Sequence, residues 1–98
     1  MHIVTRKRLI DFGALHADAD GALREWERIV ASKRYKSSAE VKADFPSADF
    51  VGPYRAIFNI CHNDYRLVVD MRFDLSRAFI RHVVTHRDYD RLMKRGTL

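Results

Sequence analysis

The chain shows a helical period of apolar residues in its first half and an alternating period in its second half. Leu23, Trp26, Ile29 and Val30 recur at the spacing of an amphipathic helix, which predicts a helix with Trp26 in the core. After residue 54 the apolar residues alternate with polar ones, as in a strand with one face in the core. In the segment YRLVVDMRF the inward positions are Leu67, Val69, Met71 and Phe73.

The N-terminal half predicts one short strand and three helices. The run HIVT is rich in β-forming residues, and Thr5 then stands at the N-cap position of a helix RKRLIDFGAL. Asp18 or Asp20 is expected to cap the second helix. The range Ser37–Glu40 has the spacing of a capping box and predicts a third, short helix. The segment FVGPY that follows is expected to be a connector.

The C-terminal half predicts a sheet and one more helix. Segments RAIFNI, YRLVVDMRF and AFIRHVV are separated by the short connections CHND and DLSR, so we expect three strands in an antiparallel meander. Thr85 and Asp88 have capping-box spacing, which predicts a helix that begins at His86. The expected fold class is α+β, with an N-terminal strand and helices, a three-stranded meander and a short C-terminal helix.

Composition adds limits on what this fold can be. The chain has 98 residues, of which 47% are hydrophobic and 32% charged, so we expect one globular domain over residues 1–98. No apolar run approaches the roughly 20 residues that cross a bilayer, and no secretory signal is visible. We therefore expect a cytoplasmic protein with no membrane partner. Cys61 is the only cysteine, which excludes an intrachain disulfide and a cysteine-based zinc site.

The basic charge of the chain lies in its second half. Residues 1–53 hold nine Lys and Arg against eight Asp and Glu, whereas residues 54–98 hold nine against five. This imbalance favours a polyanionic partner such as nucleic acid, although many small basic domains bind none.

The segment FIRHVVTHRDYDRL combines arginines, histidines and a tyrosine where a predicted strand meets a predicted helix. His86 and Tyr89 are three residues apart and would share one helical face. A helix N-terminus attracts phosphate and disfavours a charged imidazolium, so His86 would be suited to proton transfer near neutral pH. Spacing alone is equally compatible with a surface histidine beside a tyrosine that covers the core.

Four segments also carry a family resemblance: HIVTRKRL, VKADFPSADF, FNICHNDYRLVV and, above all, FIRHVVTHRDYD. In this order they resemble the HigB-type toxins of the RelE/ParE superfamily. The resemblance implies a RelE-like toxin domain whose sheet cradles messenger RNA in the ribosomal A site, cuts it and arrests translation. It also implies a cognate HigA-type helix-turn-helix antitoxin. The chain departs from the family at Cys61 and His62, where two glycines are common.

The resemblance further implies chemistry that needs no metal ion and no small-molecule cofactor. His86 is expected to act as acid or base, Tyr89 to assist it or to stack on a base, and Arg66 and Arg81 to stabilise phosphate charge. The other residues expected to contact RNA are Lys42, Asn59, Asn63 and Arg87. The five histidines show no spacing typical of a metal site, which also disfavours a metalloenzyme.

Several alternatives stay open at this point. Arg66 and Arg81 could instead form ion pairs with Asp64, Asp70 or Asp88. Strand alternation predicts that Arg81 and His82 point to opposite faces of the sheet. His62 could join the site, or it could be a solvated turn residue. At the level of function, the alternatives are a ParE-like gyrase poison and an RNA-binding module that does not react.

Overall fold

The computed structural model describes residues 1–96, and these form four helices and a five-stranded sheet. In chain order the elements are β1 (His2–Val4), α1 (Lys7–Leu15), α2 (Ala17–Ala31), α3 (Ser38–Asp44), β2 (Asp49–Val51), β3 (Arg55–Ile60), β4 (Tyr65–Arg72), β5 (Arg77–Thr85) and α4 (His86–Arg95). The predicted α+β class is confirmed. None of the helices described here has the length and apolar character needed to span a membrane.

The sheet has the strand order β1-β5-β4-β3-β2. Strands β3, β4 and β5 form the antiparallel meander that the alternating pattern predicts. Strand β1 joins the sheet by parallel pairing with β5, and β2 adds to the other edge by antiparallel pairing with β3. The prediction of a connector at FVGPY is therefore wrong in part, because Phe50 and Val51 belong to β2. A strand of three residues is too short to show a period.

The main core lies between one face of the sheet and helices α1 to α3. On β4 the inward side chains of Leu67, Val69 and Met71 are completely buried, as the alternation predicts. Trp26 of α2 is buried and meets the ring of Phe58 edge-to-face, with 5.4 Å between centroids. Its predicted place in the core is confirmed.

The opposite face of the sheet is also covered in part. Val68 of β4 is completely buried, and its cross-strand partner Ile57 is nearly so, yet both project away from the main core. Met93 of α4 lies over Val51 and Ile57, where these side chains line a cavity of about 220 Å³. Helix α4 thus crosses this second face, and β4 is packed on both sides.

Two of the predicted helix caps are present. The Ser37 hydroxyl accepts a hydrogen bond from the Glu40 backbone N–H at 3.3 Å, and the Thr85 hydroxyl accepts one from the Asp88 N–H at 3.2 Å. The first cap starts α3, and the second starts α4 directly after β5. Both capping boxes therefore identify the helix starts correctly.

The other two predicted caps are wrong. Thr5 has a φ of +67° and lies in a turn, and Arg6 takes the N-cap position of α1 without a side-chain cap. Helix α2 begins at Ala17, so Asp18 and Asp20 lie inside its first turn. Their carboxylates still lie near the positive end of the helix dipole, which explains why acidic residues occur there.

Candidate functional site

The sheet face covered by α4 carries a set of charged side chains, and we call it the α4 face. Residues directly opposite each other on neighbouring strands project to the same side. The register therefore places three rows on this face: Val51, Arg55, Asp70 and Phe79; Asp49, Ile57, Val68 and His82; and Asn59, Arg66 and Val84.

Arg66 and Tyr89 lie together at the end of the α4 face where β5 passes into α4. The Arg66 guanidinium carbon is 5.7 Å from the centroid of the Tyr89 ring, within cation–π range. Arg66 also donates from Nη1 to the Asn63 carbonyl at 3.0 Å, and Asn59 is its direct neighbour on β3. Four residues predicted separately from the sequence are thus brought together.

Tyr89 is held in its protonated form at neutral pH. Burial of this half-buried side chain raises the pKa of its hydroxyl, and the carboxylates of Asp49 and Asp90 raise it further, while Arg66 acts in the opposite direction. The phenol can therefore donate a hydrogen bond but does not serve as a phenolate. Asp49 was not predicted as part of the site, because it approaches Tyr89 only through the pairing of β2 with β3.

His86 is the first residue of α4, and its side chain is about half exposed. Its backbone N–H donates to the Asp64 carbonyl at 3.0 Å, which ties the start of α4 to the β3–β4 loop. Its Nε2 lies 3.7 Å from an Asp90 carboxylate oxygen one turn along the helix. Arg87, the next residue, is exposed. Both side chains are therefore accessible to a ligand on the surface.

Arg81 forms an ion pair with an acidic residue, which was one of the alternatives predicted from the sequence. Its Nε donates to Asp70 Oδ2 at 2.7 Å, and Arg55 donates to the same carboxylate from Nε and Nη2 at 2.8 and 3.1 Å. The three side chains form what we call the Asp70 triad. Arg66, by contrast, donates to backbone carbonyls and has no acidic partner within residues 1–96.

A β-bulge explains why Arg81 and His82 do not alternate as predicted. Val68 pairs with His82 and Val69 pairs with Ile80, which leaves Arg81 as an extra residue in β5. His82 is therefore on the α4 face, and the Arg81 side chain reaches Asp70 on that same face. The prediction that they point to opposite faces is wrong. Nothing in the sequence marks the bulge, since no glycine occurs there.

The surroundings of His82 are strongly basic. Burial is the first cause that lowers the pKa of its imidazole, followed by the nearby charges of Arg55, Arg8 and Arg81, with Asp70 acting in the opposite direction. Arg8 reaches this region from α1 and donates to the Arg81 carbonyl at 2.6 Å. His82 is therefore neutral at pH 7, and three arginines surround it.

Two further residues lie outside this arrangement. Lys42 is exposed on α3, in the helix layer, so the structure does not bring it to the α4 face. His62 is exposed in the β3–β4 loop, where Cys61 and His62 have φ of +50° and +62°. Glycine adopts such backbone conformations more readily than cysteine or histidine does. Within residues 1–96 no His, Cys, Asp and Glu side chains are grouped so that they could hold a metal ion.

A comparison with protein families agrees with the basic sheet face and the α+β fold. A family model described as HigB toxin, the RelE-like toxic component of a toxin-antitoxin system, matches residues 19–92. The chain belongs to this family of HigB toxins.

Curated relatives match over almost the whole chain. The chain is 30% identical to the mRNA interferase toxin HigB of Escherichia coli K12 over 93 residues, which cover 92% of this chain and 88% of that protein. The mRNA interferase HigB of Shigella flexneri matches to the same extent. The mRNA interferase HigB of Escherichia coli O6:H1 is 23% identical over 97 residues, which cover 96% of this chain and 93% of the relative.

The Asp70 triad should make the stability of the fold depend on pH. Arg55 first and Arg81 second lower the pKa of Asp70, against the effect of burial. A depressed folded-state pKa stabilises the fold above the ordinary aspartate value of about 3.9, and that contribution is lost as the pH falls through the folded-state pKa. Asp70→Asn should lower the free energy of unfolding by roughly 1–3 kcal/mol at pH 7.

Urea unfolding of both proteins from pH 7 to pH 3 measures this effect. The difference between wild type and Asp70→Asn should shrink as Asp70 is protonated in the wild type. Asp74→Asn is the matched control, because Asp74 makes a similar two-bond pair with Arg72 but is more exposed and should cost less. A difference for Asp70→Asn that stays constant over this pH range would show that its charge is not the cause.

Proposed function

We propose that this protein is a ribosome-dependent mRNA interferase, the toxin of a type II toxin-antitoxin system, and that residues 1–98 form its one toxin domain. The observation that supports this most directly is the grouping of Arg66 and Tyr89 beside the start of α4, which carries His86. These residue types can supply the proton transfer and the cationic stabilisation that RNA cleavage needs. The names of the relatives, which are mRNA interferases, support the same activity.

The proposed reaction is an attack of RNA on its own backbone. A base takes the proton of a ribose 2′-hydroxyl, and the oxygen attacks the adjacent phosphorus. The bond from phosphorus to the 5′-oxygen breaks, and an acid protonates that leaving oxygen. The products are a 2′,3′-cyclic phosphate and a 5′-hydroxyl. The step consumes no cofactor and needs no metal ion, because proton transfer and cationic stabilisation are supplied by side chains.

Each residue has a proposed part in this reaction. His86 transfers a proton, since it is exposed and stands at a helix start where phosphate is favoured. Tyr89, protonated at neutral pH, donates a hydrogen bond or stacks on a base. Arg66 stabilises the phosphate charge that grows in the transition state, and Arg81, which Asp70 holds further along the α4 face, stabilises the charge of a neighbouring phosphate. Asn59, Asn63 and Arg87 border this place and contact the RNA. Lys42 is exposed on α3 in the helix layer, so its proposed contact with RNA lies outside this group.

A host cell must restrain such an enzyme, so the proposed partner is a HigA-type helix-turn-helix antitoxin. The chain has a formal net charge of +5, with the excess in its second half. An acidic or amphipathic antitoxin surface would complement it and speed association. The proposed place of action is the cytoplasm, where transcripts are translated.

The first prediction from this proposed function is that the substrate is messenger RNA on the ribosome and that cleavage needs no metal ion. Purified toxin added to translating ribosome complexes should cut the messenger RNA within the A site, and EDTA added at a level that leaves the ribosomes intact should not reduce the rate. A 2′-deoxy substitution at the scissile nucleotide should abolish cleavage, because the nucleophile is missing. Intact transcripts together with trapped DNA breaks in a gyrase assay would favour a ParE-like toxin. Binding without cleavage would favour a non-catalytic RNA-binding module.

The second prediction separates chemistry from binding. His86→Ala should reduce the cleavage rate roughly 10²- to 10⁴-fold, the usual contribution of a positioned acid or base, while ribosome binding persists. His2→Ala is the control, because His2 is also an exposed histidine but lies on β1 at the edge of the sheet. Single-turnover cleavage and ribosome co-sedimentation measure the two effects.

Further variants complete this test. Tyr89→Phe keeps the ring and removes only the hydroxyl, so it reveals any role beyond stacking. Arg66→Ala should weaken binding as well as cleavage, because it removes a cation that acts in both steps. Each variant must show the thermal melting of the wild type. A folded His86→Ala protein that cuts at the wild-type rate would leave His86 as an exposed residue of the helix start, with no part in the reaction.

The third prediction concerns the antitoxin. Co-expression with the adjacent HigA-type gene should restore growth, and the two proteins should co-purify as a complex that dissociates more readily at high salt. A toxin that stays lethal and elutes alone would contradict this partner.

A further inference from the structure

We propose that Arg55 and Arg81, oriented by Asp70, form a second phosphate subsite on the α4 face, separate from the Arg66 and Tyr89 end. The inference rests on the proposed function in taking RNA as the polyanion that binds there. It assigns a role to Arg55, which was not predicted from the sequence, and to Asp70, which was predicted only as a possible ion-pair partner.

The order of exposure within the Asp70 triad supports this assignment. The Asp70 side chain is 16% exposed, whereas that of Arg55 is 28% and that of Arg81 is 49% exposed. The carboxylate therefore lies deepest, and the two guanidinium groups flank it closer to the solvent. Two guanidinium groups share one carboxylate, so the triad keeps an excess positive charge.

The hydrogen bonds of the triad leave donors for a ligand. A guanidinium has five N–H groups. Within the described part of the chain, Arg55 uses Nε and Nη2 on Asp70, and Arg81 uses Nε alone. The free Nη groups of two arginines fixed on one carboxylate are suited to a phosphate, which accepts paired N–H bonds. Asp70 thus fixes the orientation of both guanidinium groups before a ligand arrives.

Strand register places Arg81 within reach of Asp70. Phe79 lies opposite Asp70 on the α4 face, and Arg81, two residues further along β5, projects to the same side. The bulge then adds His82 to this face, and the Arg81 carbonyl accepts a hydrogen bond from Arg8 of α1. Phe79 lies beside Arg81, whose guanidinium carbon is 5.5 Å from the ring centroid. An aromatic ring beside paired arginines is typical of surfaces that bind single-stranded RNA.

The experiment measures how salt affects binding of a fluorescent single-stranded oligoribonucleotide made uncleavable by 2′-deoxy substitution. Fluorescence anisotropy gives the affinity of the full-length protein at a series of salt concentrations. Each lost phosphate contact should reduce the slope of log affinity against log salt by about 0.7. Arg55→Gln and Arg81→Gln should each lose about that amount.

Arg28→Gln is the matched control. Arg28 makes the same two-bond pair with Glu25, at 3.1 and 2.5 Å, but it lies on α2 in the helix layer. Its slope should equal that of the wild type. Where Arg55→Gln fails to fold, Arg55→Lys replaces it, because lysine keeps the charge but lacks the fork and should still weaken binding.

Asp70→Asn gives the sharpest result. The substitution adds one unit of positive charge, so a surface that binds RNA by net charge alone would bind more tightly. If Asp70 orients the two arginines, binding should weaken several-fold in spite of the added charge. Tighter binding by Asp70→Asn, or an unchanged slope for Arg55→Gln, would overturn the subsite.

The failure of this inference can be distinguished from the failure of the proposed function. RNA binding with the expected slopes, but without any cleavage on ribosomes, would keep the subsite and reject the interferase. Cleavage with an unaltered slope in both arginine variants would keep the interferase and reject the subsite. A wild-type protein that binds no RNA in either assay would reject both.

Discussion

Strand β4 is packed on both of its faces, and this fixes the register on which every site residue depends. Leu67 and Val69 on one side and Val68 on the other are completely buried. Because side chains alternate along a strand, a slip of one residue would turn Arg66 and Asp70 into the main core. Burying such charges without partners costs several kcal/mol each, far more than other contacts could recover. Apolar packing therefore specifies where the polar groups stand.

The bulge in β5 changes which side chains reach the α4 face. A regular strand would supply one side chain to the α4 face for every two residues, whereas β5 supplies Arg81 and His82 in succession. The ion pairs of the Asp70 triad stabilise the fold while Asp70 is ionised. They also fix geometry, because Asp70 limits the directions that two flexible arginine side chains can take. Burial first, and the charges of Arg55, Arg8 and Arg81 second, lower the pKa of the neighbouring His82 imidazole.

The parts of the fold that could be predicted from the sequence are those with local signals. The meander shows its period within single strands, and the caps at Ser37 and Thr85 involve residues three apart. Strand β1 was predicted from its β-forming residues, but its parallel pairing with β5 was not. Strand β2 is recognisable only by its pairing with β3, and Thr5 looks like a cap until the turn it occupies is known. In the site, Arg66 and Tyr89 were predicted by resemblance. An ion pair of Arg81 with Asp70 was one of the alternatives, but the part of Arg55 could not be predicted, because it depends on the pairing of β3 with β4. The face of His82 could not be predicted either, because a one-residue bulge leaves no trace in the pattern.

The β3–β4 loop positions both the proposed proton-transfer residue and its neighbouring cation. The Asp64 carbonyl accepts from the His86 backbone N–H, and the Asn63 carbonyl accepts from Arg66. The first turn of α4 is therefore anchored by hydrogen bonds, whereas Met93 further along lies over the apolar side chains of Val51 and Ile57. His86 and Arg66 are both held by carbonyls of the same loop. The distance between these two groups is therefore set by that loop and by the cap at Thr85, rather than by the packing of the whole helix.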